Sequence, residues 1–142
     1  MSLGVAYAPS IEGPYTVLND GKPILSSEKN GEAEDPFFWK DEEGYHIVFK
    51  DQLGKYTGEK ESGVLAHSKD GVNWVIDKCP QAYSLMLNWD DGVTSRVGQL
   101  ERPFILFENG DPAYMFFATS DGIGSFKEMS ASWNMVIPFV KK

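Results

Sequence analysis

The chain has 142 residues, 42% of them hydrophobic and 13% aromatic, which is enough apolar sequence to bury a core and too much for an intrinsically disordered segment. A net charge of −8, with only 13 scattered Lys and Arg, excludes a nucleic-acid surface, because phosphate binding needs clustered basic residues. No apolar run approaches the roughly 20 residues that span a bilayer, so no membrane segment is expected.

From the start, Met1-Ser2-Leu3 reads like an expression remnant joined to the strand Gly4-Val5-Ala6-Tyr7-Ala8, which leads to Glu12-Gly13-Pro14-Tyr15. Phe37-Phe38-Trp39-Lys40 is predicted as a strand that turns at Asp41-Glu42-Glu43-Gly44 and returns as Tyr45-His46-Ile47-Val48-Phe49-Lys50. Gly63 to Ser68 is a third strand, and the turn Lys69-Asp70-Gly71-Val72 leads into a fourth at Asn73-Trp74-Val75-Ile76. The lone Cys79 cannot form an internal disulfide and reads as a structural thiol.

The plan then repeats. Glu101-Arg102-Pro103-Phe104-Ile105-Leu106-Phe107 echoes Glu34-Asp35-Pro36-Phe37-Phe38-Trp39, and the turn at Glu108-Asn109-Gly110-Asp111 precedes the strand Tyr114 to Thr119. A second echo links Gly4 to Ala8 with Gly63 to His67. A period of about 60 to 70 residues, lengthened by loops at 51–62 and 78–100, predicts an all-β chain: a partial β-propeller of antiparallel four-stranded blades, about two and a half in number. The expected divisions are the end of one blade at 4–30, a complete blade at 31–80, and a loop, last blade and closing strand at 81–142. A β-sandwich with coincidentally similar hairpins is the alternative architecture.

Asp35 and Glu101 stand at nearly equivalent strand starts. The first strand of each propeller blade lines the central axis, so these carboxylates are expected to converge in one cavity. Two neighbouring carboxyls with differently tuned pKa values are what glycosidic bond hydrolysis uses. The plainer alternative is that Glu34, Asp35 and Glu101 cap turns or pair with Arg96 and Arg102. His46 on its strand, Lys50 at the end of it, Trp89 in the polar loop Asn88-Trp89-Asp90-Asp91, and Arg96 are the other candidate sugar contacts. For Lys50 with Asp51 a solvated charge pair is the alternative. Asp90-Asp91-Gly92 lacks the spacing of a calcium loop, so neither metal nor cofactor is expected.

The ordered set Ala33-Glu34-Asp35-Pro36-Phe37-Phe38-Trp39, Tyr45 to Asp51, Gly63 to Ser68, Asp70-Gly71, Trp74 and Glu101-Arg102-Pro103 resembles the five-bladed propellers of glycoside hydrolase family 43 and its relatives, including family 117. That resemblance implies activity on oligo- or polysaccharides, with Glu101 as proton donor, Asp35 as the carboxylate that tunes it, and Arg102 beside them at the substrate. It also implies secretion or a periplasmic location. The family's general base, an Asp from an early blade, has no counterpart here, and the His acid of family 117 has none after His67. The chain itself is therefore expected to bind without turnover, the alternative being a non-catalytic carbohydrate-binding or assembly module. Ser132-Trp133-Asn134-Met135-Val136-Ile137-Pro138 resembles a closing strand, and five blades need about 250 to 300 residues, so exposed blade faces are expected to drive a homodimer.

Overall fold

The computed structural model describes residues 1–25, 32–123 and 126–139. Among them the protein is all-β, with several antiparallel sheets, none closed on itself, and only two short 3-10 turns besides. No helix among these residues is long and apolar enough to cross a membrane. The division read near residue 30 lies outside the described residues.

A short hairpin pairs β1 (Ala6–Tyr7) with β2 (Thr16–Val17). A four-stranded meander follows: β3 (Ala33–Lys40), β4 (Tyr45–Asp51), β5 (Ser62–Ser68) and β6 (Trp74–Tyr83), hydrogen-bonded in chain order. A small hairpin of β7 (Met86–Asn88) and β8 (Thr94–Arg96) leads to a three-stranded meander, β9 (Gln99–Glu108), β10 (Asp111–Ser120) and β11 (Ser132–Pro138). The second meander thus has three strands, at the positions of the Glu101 and Tyr114 strands and of the closing strand expected from Ser132 to Pro138.

Local chemistry explains the turns. Asp41 Oδ1 accepts the Glu43 and Gly44 amides at 2.8 and 3.2 Å, so the side chain closes the β3–β4 turn itself. Asn109 and Gly110, at φ 53° and 88°, form the two-residue β9–β10 connection, whose positive φ values follow the strand twist. Two readings of the sequence are corrected here. The segment after Ile76 is not loop: β6 continues to Tyr83, and the hairpin β7–β8 occupies the rest of that stretch. Cys79 is exposed on β6, so it is not a packing thiol.

Two cores hold the sheets together. Val48 of β4, with Phe37 and Trp39 of β3, packs against Ile105, Met115, Phe117 and Met135 of the three-stranded meander, with Tyr83, Leu85, Val97 and Leu100 between them. The other face of the four-stranded sheet buries Ile47, Phe49, Val64 and Ala66 against Leu3 and Leu25 of the N-terminal segment. The order is therefore N-terminal segment, four-stranded sheet, three-stranded sheet, stacked face to face.

Candidate functional site

β3 and β9 carry the same irregularity. In each, the ladder to the neighbouring strand slips between the Glu and the Phe three residues on, at Glu34/Phe37 and opposite Phe116/Ala118 for Glu101/Phe104. The residue before each proline takes the left-handed conformation, Asp35 at φ 48° and Arg102 at φ 53°. Proline cannot donate to a ladder, and it disfavours the helical region for the residue before it, so Pro36 and Pro103 fit a bulge and not regular pairing. The register makes Glu34 the counterpart of Glu101, and Asp35 the counterpart of Arg102.

The two bulges are tied directly: the Arg102 amide donates to Asp35 Oδ2 at 3.1 Å. Lys50, across the ladder from Glu34, sends its ammonium between the sheets, 2.8 Å from Glu34 Oε2 and 2.7 Å from Glu101 Oε2. Both Lys50 and Glu101 are buried. Burial alone would lower the Lys50 pKa, but hydrogen bonds and charge from Glu101 and Glu34 outweigh it and hold the ammonium above its ordinary value. Glu101 is pushed the other way. Burial raises its pKa most, Lys50 pulls it back, and the adjacent Asp35 carboxyl raises it again, leaving the net shift upward. Its second oxygen, Oε1, is buried with no hydrogen-bond partner among the described residues, as is Gln99 Oε1.

These groups open on a cavity of about 400 Å³ lined by Ala33, Glu34, Asp35, Lys50, Gln52, Glu61, Glu101 and Arg102, with residues 1–3 at its rim. Gln99 reaches it indirectly, its Nε2 donating to Glu61 Oε2 at 3.2 Å. Tyr83 supports it from the core. Its ring lies so close over Gly63 that a Cβ there would stand 2.1 Å from the ring, so only glycine fits beneath it. Burial first, and then the charges of Glu101 and Asp35, push the Tyr83 phenol far above its ordinary range and keep it protonated.

Of the residues singled out from the sequence, Asp35, Glu101, Lys50 and Arg102 are brought together in this cavity. The others lie elsewhere. His46 stacks on Trp39 at 5.0 Å and bonds Asp41 Oδ1 at 2.9 Å, at the far end of β4 from Lys50. Arg96 pairs with Glu59 Oε1 at 3.2 Å, in a cluster where Glu59 also accepts the Gln81 side chain and the Leu85 amide. Trp89 sits in the β7–β8 hairpin, its Nε1 donating to Ser95 Oγ at 2.7 Å. Glu34, Glu61, Gln99 and Tyr83 join the site without having been singled out as site residues. The signal for Glu34 was the echo itself, since it stands at the same offset from Pro36 as Glu101 does from Pro103, and Gln99 shares a strand face with Glu101 at alternate positions.

Comparison with known proteins finds no matching family model, curated protein or solved structure. Among the described residues no group of three or more His, Cys, Asp or Glu is placed to hold a metal ion. The cavity itself offers one buried carboxyl that holds its proton to higher pH than usual, a second carboxyl beside it, and an ammonium bridging two sheets.

Proposed function

We infer that this chain is a glycosidase-related protein, a partial propeller of the family 43 and family 117 kind, whose cavity takes a neutral oligo- or polysaccharide end. Glu101 is the proton donor of the complete catalytic unit and Asp35 the group that tunes it. The observation that carries this reading is Glu101: a buried carboxyl, shifted upward in pKa by burial and by a second carboxyl, facing a cavity whose volume falls in the usual range for small ligands. Two stacked meanders with the same Glu-X-Pro bulge support the propeller.

A base to activate water is the missing function. Of the remaining carboxyls in the cavity, Glu34 is paired with Lys50, Asp35 accepts the Arg102 amide and Glu61 accepts from Gln99. Pairing of Glu101 itself with Lys50 favours a second reading, a carbohydrate-binding module without turnover. Titration with neutral oligosaccharides, followed by NMR, tests both, together with an aryl-glycoside assay. Binding at Glu101 and Lys50 without hydrolysis is expected. In a chain that also carries the family's base aspartate, hydrolysis is expected and is abolished by Glu101→Gln. Hydrolysis by this chain alone would mean that the base lies within these residues, and failure of every neutral sugar to bind would remove the carbohydrate reading.

A further inference from the structure

Four carboxyls line the cavity between the bulges: Glu34, Asp35, Glu61 and Glu101. Against them stand Lys50 and Arg102, the latter with its side chain exposed, while the Met1 amine at the rim is paired with Glu32 at 3.3 Å. Lys50 divides its charge between Glu34 and Glu101. Asp35 and Glu61 have only neutral amide partners among the described residues, the Arg102 backbone and the Gln99 side chain. Two acceptors on the wall have no partner at all among these residues. Glu101 is only 7% exposed, yet its Oε1 is unbonded, and the side-chain oxygen of Gln52 is buried in the same state. A buried acceptor left without a donor keeps its full desolvation cost, so the ligand that fits here brings donors. Sugar hydroxyls and an ammonium both donate, and the surplus of negative charge decides between them.

We propose that this cavity binds a protonated primary amine, which donates to Glu101 Oε1 and the Gln52 carbonyl and is held by the charge of Asp35 and Glu61. The inference goes beyond the carbohydrate reading, because charge and donors select the ligand whether the ammonium is carried by a 2-amino sugar or by a small amine. A neutral sugar end still fits, less tightly. An ammonium at Oε1 does for that oxygen what Lys50 does for Oε2. Burial and the neighbouring Asp35 both act against the ionised form of Glu101, and a second cation relieves both. Hydrogen bonds between charged groups are roughly twice as strong as neutral ones, so an ammonium in place of a hydroxyl should gain about tenfold or more in affinity.

Calorimetric titration of the full chain at about pH 6.5, where a sugar amine is protonated, tests this with three probes: methyl glucosaminide, methyl glucoside and propylamine. The glucosaminide should bind about tenfold or more tightly than the glucoside, and only the amines should weaken as salt is raised. Glu101→Gln keeps the shape of the wall, leaves Lys50 its bond to Glu34, and should remove the preference for the amine. Glu61→Gln, which can still accept from Gln99, is the second variant should the first fail to melt cooperatively, and should reduce the preference. Glu42→Gln, in the β3–β4 turn at the far end of β4 from Lys50, removes an exposed charge and should change nothing. Glu101-dependent binding of both amines with none of the glucoside would support the amine site and count against the carbohydrate reading. Equal binding of glucosaminide and glucoside would overturn the amine site and leave the carbohydrate reading standing. It would equally be overturned if neither amine bound, or if the preference survived Glu101→Gln and Glu61→Gln, since the overall charge of −8 would then be its source.

Discussion

Lys50 is the residue on which the candidate site turns, because its ammonium is the positive charge that both Glu34 and Glu101 engage. Removing one partner of a buried ion pair leaves the other uncompensated, at a cost of about 3–5 kcal/mol. Lys50→Met is therefore expected to destabilise the protein by that amount at neutral pH in urea unfolding. The pH dependence has a definite sign. Without Lys50 the influences left on Glu101 are burial and the Asp35 carboxyl, both upward, so its pKa rises further in the variant. A carboxyl whose folded pKa lies above the unfolded value stabilises most when protonated, below the unfolded value of 4.5, and loses that contribution as pH rises through the folded value. The deficit of Lys50→Met should thus shrink as pH falls from 7 towards 4. In the parent protein the raised pKa of Lys50 works at the other extreme, stabilising fully below 10.5 and fading as pH climbs through the folded value. A deficit independent of pH would mean that Glu101 does not feel the ammonium.

At the scale of elements, the paired bulges decide where the carboxyls point, and they depend on a left-handed residue before each proline. Arg102 is exposed there, so its side chain contributes little while its backbone carries the strain. For a non-glycine residue this conformation costs about 1–2 kcal/mol, and glycine removes that cost while adding about 0.4–1 kcal/mol of unfolded-state entropy. Arg102→Gly is expected to leave the melting temperature nearly unchanged, whereas β-branched Arg102→Val should lower stability by about 1–2 kcal/mol. Equal effects of the two substitutions would mean that the bulge relaxes. The equivalence of the two strand starts was legible in the sequence because the repeat Glu-X-Pro-Phe stands at both, but the bulges were not, and without them Asp35 was matched to Glu101 where the register matches Glu34. Nor was the extension of β6. Pro80 argues against a strand, yet it falls where the ladder to β5 slips, between Val64↔Gln81 and Ala66↔Ile76, on an edge strand that tolerates it. The burial of Lys50 and Asp51 was equally hidden, since charges at a strand end ordinarily stay in water. Asp51 is fully buried because its carboxylate accepts the amides of Lys55, Tyr56 and Thr57, closing a loop whose conformation no periodicity announces.

For the whole molecule, the decisive question is whether the two meanders unfold as one body. They share more than the ion pairs at Lys50. Tyr83 of the four-stranded sheet meets Phe117 of the three-stranded sheet edge to face at 4.7 Å, and both belong to a single core that also includes Val48, Leu85, Leu100 and Met115. Truncating a buried phenylalanine costs about 3–5 kcal/mol, and with domain stabilities of about 5–15 kcal/mol that is a large part of the whole. Because Phe117 is packed by residues from both sheets, Phe117→Ala should weaken both together. Native-state hydrogen exchange distinguishes this from local damage: amides of β4 and β5 should lose protection by the same factor as those of β9 and β10, although no residue of β4 or β5 has been changed. The site gives a second readout of the same coupling, since Glu34 and Lys50 come from one sheet and Glu101 from the other, and any slippage of the shared core separates them. Loss of protection confined to β9–β11, with β4 and β5 untouched, would show two independent sheets held only at the bulges, and the cavity between them would then owe its shape to the Lys50 bridge alone.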